Sequence, residues 1–295
     1  MTPSPAPADE PRLRHVQCLG ARGLHRMAYW EWGDPANERV LVCVHGLARQ
    51  GRDFDTLALA LRDHYRVVCP DVVGRGESDR LADPAGYQVP AYVADMVTLL
   101  ARLDATAVHW VGTSMGGLIG MGLSALPGSP VSRLVLNDVG PTIDAAGIAR
   151  IAGYIGVPIT WPSEDAAADY LQGISKGFGP HSRAQWLALT RPMLRREGEV
   201  FRLHYDPAIA IALRAITPAA AAAGEAALWA AYDAIRCPTL ILRGADSDLL
   251  SRATAEQMTQ RGPRATVRVF EGVGHAPTLV AADQVAAVRE FLLAS

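Results

Sequence analysis

The sequence lacks most features of a secreted, membrane-embedded or nucleic-acid-binding protein. It has only four cysteines in 295 residues, with no Cys-x-x-Cys pair and no histidine at the spacing of a zinc site. It has neither the run of about 20 apolar residues that a membrane helix needs nor the apolar core of a secretory signal. The formal net charge of −2 offers no attraction to nucleic acid or anionic membranes. We therefore expect a cytoplasmic protein with buried free thiols and without a bound metal, a nucleic-acid partner or a membrane partner.

Short apolar runs alternate with longer helical patterns over most of the chain. Because the predicted strands are almost continuously apolar and are separated by helices, they predict a mostly parallel α/β sheet that is covered on both faces. The predicted strands are 26–32, 39–45, 65–71, 107–112, 131–138, 237–244 and 265–272, and the predicted helices are 53–63, 89–103, 115–125, 252–260 and 281–294.

One segment interrupts this alternation. Residues 141–234 show helical patterns and no convincing strand. The simplest interpretation is a helical insertion between two strands of one sheet, so we predict a single core made of 13–140 and 235–295. Residues 1–12, which are rich in proline and alanine, are predicted to be a disordered tail.

A serine between two glycines follows the strand predicted at 107–112. In the sequence HWVGTSMGGLIGM, Ser114 lies two residues after Gly112 and two before Gly116. A nucleophilic serine must be exposed on a sharp strand-to-helix turn, and small residues at these two positions relieve the crowding of that turn. The pattern therefore predicts that Ser114 is a nucleophile at the start of a helix.

A serine nucleophile needs a base and donors for the oxyanion. Of the eight histidines, His275 lies in GVGHAP, just after the last predicted strand, where loops of an open parallel sheet meet ligands. We predict that His275 is the general base. The backbone N–H groups of Leu47, after the strand at 39–45, and of Met115, after the serine, are the predicted oxyanion donors. No Walker-type phosphate loop is present, and no cofactor is expected.

Taken together, these motifs resemble the α/β-hydrolase superfamily. The resemblance covers roughly residues 35 to 295 and implies that the insertion is a cap over the active site. The motifs that carry it, in the order typical of the family, are VHGLAR (44–49), PDVVGRGESD (70–79), GTSMGG (112–117), RGADSDLLS (243–251) and GVGHAP (272–277).

The resemblance leaves two positions open for the acid that orients the histidine. Most members carry it three residues past a glycine that here is Gly244, but this position is Ser247, flanked by Asp246 and Asp248. Some relatives carry the acid after the preceding strand, which here is Asp138 in LVLNDVGP. Asp138 is the favoured candidate and Asp248 the main alternative.

Two further features have a plain structural interpretation. The motif PDVVGRGESD is predicted to be a tight loop held by a network of arginine, serine and aspartate. Arg49, beside the oxyanion loop, could contact a substrate carboxylate, but a structural or solvent-facing role is favoured.

The activity implied by the resemblance is cleavage of a small or medium carboxylic ester through an acyl-enzyme. A serine nucleophile argues against dehalogenases and epoxide hydrolases of this fold, which attack with aspartate. Hydrolysis of a carbon–carbon bond or a lactone, perhydrolysis, and a slow-turnover receptor for a small molecule stay open. The sequence specifies neither the acyl and alcohol groups nor the oligomeric state.

Overall fold

The structure, a computed structural model, describes residues 10–294. Within this range it contains ten β-strands and ten α-helices. The strands are β1 (Arg12–Gly20), β2 (Gly23–Trp32), β3 (Val40–Val44), β4 (Arg66–Pro70), β5 (Val108–Thr113), β6 (Val131–Asn137), β7 (Leu194–Glu197), β8 (Val200–Leu203), β9 (Thr239–Gly244) and β10 (Thr266–Phe270). The helices are α1 (Asp55–Leu61), α2 (Val89–Leu103), α3 (Met115–Ser124), α4 (Ala145–Tyr154), α5 (Glu164–Ile174), α6 (Arg183–Thr190), α7 (Ile209–Arg214), α8 (Pro218–Ala234), α9 (Arg252–Met258) and α10 (Ala282–Leu293).

Eight of these strands form one sheet in the order β1-β2-β4-β3-β5-β6-β9-β10. The strands from β4 to β10 in this order are parallel, and the pairs β1–β2 and β2–β4 are antiparallel. Both β3 and β9 are buried along their whole length. One face packs against α2, α3 and α9 and the other against α1 and α10. The prediction of a mostly parallel sheet covered on both faces is therefore confirmed.

The first strand was not among the predicted elements. It begins at Arg12, inside the predicted tail, and pairs only with β2, which makes it an edge strand. Five of its nine residues are exposed, so the apolar run that identifies a buried strand is missing. Residues 1–9 of the predicted tail lie outside the described residues.

The segment 141–234 holds helices α4 to α8, but the prediction that it has no strand is wrong. Two four-residue strands, β7 and β8, form an antiparallel hairpin within it. Gly198 in the turn has a φ of 62°, which glycine adopts without a steric penalty. Of the eight strand residues none is buried, so hydrophobic patterning could not reveal the hairpin. None of the described helices is long and apolar enough to span a membrane.

The predicted functional motifs meet at one edge of the sheet. The loop of Leu47 follows β3, Ser114 follows β5, Asp138 follows β6, the loop of Ser247 follows β9, and the loop of His275 follows β10. Because these strands are parallel, their carboxyl ends lie on the same side, where open α/β sheets bind ligands.

Candidate active site

Ser114 lies on a strained turn between β5 and α3. Its φ is 52°, in the left-handed region that non-glycine residues rarely adopt. The turn brings backbones so close together that a Cβ on Gly112 would overlap the carbonyl oxygen of Gly116, and a Cβ on Gly116 would overlap that of Val44. The backbone N–H of Ser114 donates to Asn137 O at 3.0 Å. The two glycines of the motif are thus required by close packing of the turn.

His275 connects the serine to a buried carboxylate. Its Nε2 lies 3.0 Å from Ser114 Oγ, and its Nδ1 lies 2.8 Å from Asp138 Oδ2. Asp138 is fully buried, and only 10% of the His275 side chain is exposed. An ionised carboxylate only accepts hydrogen bonds, so Nδ1 carries the proton and Nε2 is free to accept one from the serine hydroxyl. The structure brings these three predicted residues together in one hydrogen-bonded chain.

Asp138 is held by several donors besides the histidine. Its Oδ1 accepts the backbone N–H of Gly244 at 2.9 Å, and its Oδ2 accepts the hydroxyl of Ser247 at 2.6 Å. The backbone N–H of Asp138 itself donates to Leu242 O at 2.8 Å. These contacts anchor the carboxylate to β9 and to the loop after it. The contact with Ser247 is not indicated by any sequence motif, because it joins two strand ends that are far apart in the chain.

The alternative acid Asp248 makes no hydrogen bond to His275. Its carboxylate pairs with Arg150, with Oδ2 at 2.5 Å from Nε and Oδ1 at 2.9 Å from Nη2, and 40% of its side chain is exposed. The guanidinium of Arg150 lowers the pKa of the Asp248 carboxyl below its usual value. Asp246, the remaining acid of this loop, is exposed. The geometry therefore favours Asp138 over both.

Of the two backbone donors predicted for the oxyanion, Leu47 lies in the loop after β3 and Met115 directly follows Ser114 in the chain. Met115 is the first residue of α3, where the positive end of the helix dipole lies. The carbonyl of Leu47 accepts Nε of Arg75 at 2.8 Å, which anchors the loop after β3. A Cβ on Gly46 would lie 3.7 Å from Cβ of Ser114, so the loop after β3 lies next to the turn of Ser114.

Arg75 is the centre of the network expected in PDVVGRGESD. Its side chain is 1% exposed and also donates to Val73 O at 2.7 Å and to Tyr92 Oη at 3.0 Å. In the same loop, buried Asp71 accepts the backbone N–H of Gly51 at 2.6 Å. Burial raises the pKa of the Asp71 carboxyl to about 6. These contacts agree with a structural role for this motif.

Arg49, in the loop after β3, is occupied by protein partners. Its guanidinium pairs with Asp53 at 2.6 and 2.7 Å and donates to Leu189 O at 3.1 Å. Leu189 belongs to the segment 141–234, so Arg49 links that segment to the core. This agrees with the favoured structural role.

The segment 141–234 contacts the loop of His275. The backbone N–H of Gly274 donates to Gly177 O at 2.7 Å, and His181 Nε2 lies 2.8 Å from Thr278 Oγ1. Between segment and core lies a cavity of about 40 Å³. It is lined by His45, Arg49, Asp53, Phe54, Thr113, Phe178, Leu189, Ala276, Pro277 and Thr278.

One group of side chains outside this site has the chemistry of metal ligands. Cys18, His25 and Asp95 are buried, and their ligand atoms lie within 4.8 Å of one another. His25 Nε2 already lies 3.0 Å from Asp95 Oδ2. Among the described residues this group supplies three ligands, whereas a buried structural zinc site uses four. Hydrogen bonding within the core accounts for the group, and we assign no metal to it.

His45, in the motif VHGLAR, is a neutral structural histidine. It is fully buried, its Nδ1 lies 2.7 Å from Gly46 O, and its Nε2 accepts the backbone N–H of Val72 at 2.9 Å. These two contacts are compatible only with the neutral ring that is protonated on Nδ1. Burial lowers the pKa of His45 to about 3.

The protein is expected to lose stability on acidification partly through His45. In the unfolded chain this histidine binds a proton below pH ~6.5, whereas in the folded protein it stays neutral down to about pH 3. In this window the free energy of unfolding therefore decreases as the pH is lowered, by about 1.4 kcal/mol per pH unit for one proton. Urea unfolding at pH 7 and pH 5 measures the effect.

The variant His45→Gln removes this titrating group. The variant is expected to have a lower free energy of unfolding than the wild type, and this difference should decrease by about 2 kcal/mol when the pH is lowered from 7 to 5. His15→Gln, at an exposed position, is the matched control and should keep the wild-type pH dependence. A deficit of His45→Gln that is equal at both pH values would contradict the neutral assignment.

Comparison with known proteins gives a consistent family assignment. The sequence profile described as "Alpha/beta hydrolase family" matches residues 41–288. The chain is 54% identical over 285 residues to a 3-hydroxybutyrate-oligomer hydrolase of Cupriavidus necator, covering 95% of this chain and 97% of that one.

Two solved structures share the architecture. An alpha/beta hydrolase from Novosphingobium aromaticivorans is 34% identical, with a TM-score of 0.84 over 96% of this chain and 98% of that chain. A putative hydrolase from Rickettsia typhi is 27% identical, with a TM-score of 0.86 over 95% of this chain and 98% of that chain. The profile match and the 54% identity extend over most of the chain. The protein therefore belongs to the alpha/beta hydrolase family and is a hydrolase.

Proposed function

We propose that this protein is a serine esterase that cleaves short linear oligomers of 3-hydroxybutyrate with a triad of Ser114, His275 and Asp138. The observation that carries the proposal is the chain of two hydrogen bonds, from Ser114 Oγ to His275 Nε2 at 3.0 Å and from His275 Nδ1 to Asp138 Oδ2 at 2.8 Å. These distances lie within the range for proton transfer and for orientation of the base.

The reaction follows from these contacts. Ser114 Oγ attacks the acyl carbon of the ester while His275 Nε2 accepts its proton. The backbone N–H groups of Leu47 and Met115 stabilise the oxyanion of the tetrahedral intermediate. The imidazolium then protonates the departing alcohol oxygen, and the acyl group stays on the serine. Water, deprotonated by the same histidine, cleaves this acyl-enzyme and restores the hydroxyl of Ser114.

Asp138 supports both proton transfers. Its negative charge stabilises the imidazolium, and its contact with Nδ1 keeps the proton on that nitrogen, so that Nε2 faces the serine. The buried position of the carboxylate strengthens this interaction because little solvent screens it.

The substrate class is carried over from the relative of 54% identity, whose name states that it hydrolyses 3-hydroxybutyrate oligomers. Such oligomers join a carboxyl group of one unit to the hydroxyl of the next, so each bond is an ordinary carboxylic ester. The cavity between segment and core is lined by Thr113 and Ala276, the chain neighbours of the proposed nucleophile and base, so it marks the side from which an acyl group would approach them.

We further propose that the segment 141–234 is a cap over a core formed by 13–140 and 235–295. Its contacts with the loop of His275 support this division, since Gly177 and His181 lie against that loop. In this position it would shape the space for the acyl group.

Purified protein should hydrolyse the dimer and trimer of 3-hydroxybutyrate to monomer at about 1–1000 turnovers per second. Chromatography of the products measures this, with p-nitrophenyl butyrate as a second ester. Turnover of the nitrophenyl ester alone would refute the oligomer specificity while leaving the esterase in place. Failure on both esters, with turnover of lactones or ring-fission diketones, would replace the esterase assignment. Ligand-induced stabilisation without turnover would indicate a receptor.

A further inference from the structure

The loop after β9 places a serine hydroxyl on the carboxylate that contacts the histidine. Ser247 Oγ lies 2.6 Å from Asp138 Oδ2, the same oxygen that lies 2.8 Å from His275 Nδ1. The remaining oxygen of Asp138 accepts the N–H of Gly244 at 2.9 Å. The carboxylate therefore has three donors, of which one is the histidine.

The direction of the Ser247 hydroxyl is determined by its other contacts. Its oxygen accepts the backbone N–H groups of Leu249 and Leu250 at 3.2 and 3.1 Å. A hydroxyl has two acceptor lone pairs and one proton. Because both lone pairs accept hydrogen bonds, the hydroxyl proton is the group that faces Asp138, and Ser247 donates it to the carboxylate. Ser247 is therefore a fixed donor to this carboxylate.

We propose that Ser247 is a positioning residue of the hydrolase: its hydroxyl holds the carboxylate of Asp138 against His275 and takes up part of its negative charge. This inference rests on the proposed function, since it assigns Asp138 to the triad. The energetic reason is that hydrogen bonds to an ionised group are short and about twice as strong as those between neutral groups.

The proposal predicts the direction in which the pH dependence changes. When the hydroxyl of Ser247 is removed, Asp138 Oδ2 has one donor fewer and attracts the proton on His275 more strongly. The imidazolium is then stabilised, so the pKa of the free histidine rises and the enzyme needs a higher pH to become active. The charged or titratable groups on the surrounding elements, none of which Ser247→Ala replaces, are Arg243, Asp246, Asp248 with Arg150, Lys176 and His181.

The competing explanation is that Ser247 only organises its loop. Its two contacts with backbone N–H groups would suffice for that. Loss of a loop contact would lower the melting temperature and the rate, but it would not move the acidic limb of the pH profile. Ser251 offers a matched control, because it lies in the same loop and caps α9 through the N–H of Thr254 at 3.0 Å.

The first experiment measures kcat/KM for the 3-hydroxybutyrate dimer against pH in Ser247→Ala, Ser247→Thr and Ser251→Ala. For Ser247→Ala we expect a loss of roughly 10- to 100-fold and a shift of the acidic limb to higher pH by about half to one unit. Ser247→Thr, which keeps a hydroxyl, should return the limb toward the wild-type position. Ser251→Ala should lower the melting temperature without moving the limb. An unshifted limb in Ser247→Ala would overturn the proposal.

The second experiment moves the carboxylate from position 138 to position 247. Ser247 Oγ already touches Asp138 Oδ2, and an aspartate at position 247 extends one bond further, so its carboxylate can take the place of that oxygen beside His275. The double variant Asp138→Ser, Ser247→Asp should recover at least about tenfold in kcat/KM over Asp138→Ser alone. The absence of any recovery in a folded double variant would count against the proposal.

Two results distinguish the role of Asp138 from the role of Ser247. If Asp138→Ser keeps wild-type activity, Asp138 is not the acid and the proposed triad falls. If Asp138→Ser is inactive while Ser247→Ala keeps the wild-type rate and pH profile, the triad stands and only the role of Ser247 is rejected.

Discussion

Replacing Ser114 with alanine is expected to reduce kcat for 3-hydroxybutyrate oligomers by roughly four to six orders of magnitude. The variant keeps His275, Asp138 and the proposed oxyanion donors of Leu47 and Met115, so a small residual rate above water should remain. Binding of the substrate should change little, because the hydroxyl acts in the reaction and contributes little to the contact area. Single-turnover kinetics with the dimer would measure both quantities.

Ser124→Ala is the matched control for this loss. Ser124 lies on the same helix, α3, and its buried hydroxyl has no hydrogen-bond partner among the described residues. Its removal should leave the rate unchanged, since no satisfied polar contact is lost. Appreciable oligomer hydrolysis by a pure Ser114→Ala protein would contradict an acyl-enzyme on this residue.

The variant Asp138→Asn should lower kcat by roughly three to four orders of magnitude. Asparagine fills the same volume and tolerates the positive φ of 55° at this position, so folding should be preserved. It has no charge to stabilise the imidazolium, and its amide can donate to Nδ1, which would favour the wrong tautomer of His275. Stopped assays of dimer hydrolysis at saturating substrate measure the loss.

Asp248→Asn is the matched comparison, because it changes the other candidate acid in the same way. Its ion pair with Arg150 is 40% exposed, and exposed pairs contribute about 0–1 kcal/mol. We expect less than about a threefold change in kcat. The opposite ranking, with Asp248→Asn inactive and Asp138→Asn active, would identify Asp248, in the loop after β9, as the acid of the triad.

Local patterns were sufficient to predict two residues, Ser114 and His275, that the structure places within hydrogen-bond distance of each other. Ser114 is identified by glycines that the close backbones of the elbow require, and His275 by its place after the last strand. The order of strands and helices was predictable for the same reason, since buried parallel strands carry continuous apolar runs.

The carboxylate that contacts His275 was less predictable because its position depends on how two loops pack. Asp138 and Asp248 both follow strands whose carboxyl ends meet at the site. The side chain of Asp248 turns toward Arg150 in the segment 141–234, a partner that lies 98 residues away in the chain. Ser247 instead fills the place beside Asp138. No local sequence pattern indicates which of the two carboxylates contacts His275.

The missed strands share a different physical cause. Strand β1 is an edge strand with mostly exposed residues, and the strands β7 and β8 form a hairpin with no buried residue. In β1 only Val16 and Cys18 are buried, and β7 and β8 bury none of their residues, so none of the three shows the continuous apolar run that identifies a buried strand.

Labelling with an alkyl fluorophosphonate tests the central claim most directly. This reagent forms a stable bond with a serine that is activated by a base, and peptide mass spectrometry then locates the label while dimer hydrolysis is followed in parallel. We expect one label per chain, on the peptide that contains Ser114, and loss of oligomer hydrolysis in proportion to labelling. Full hydrolysis of the oligomer by protein that is completely labelled on Ser114, or inactivation by a label on a different residue, would contradict the account.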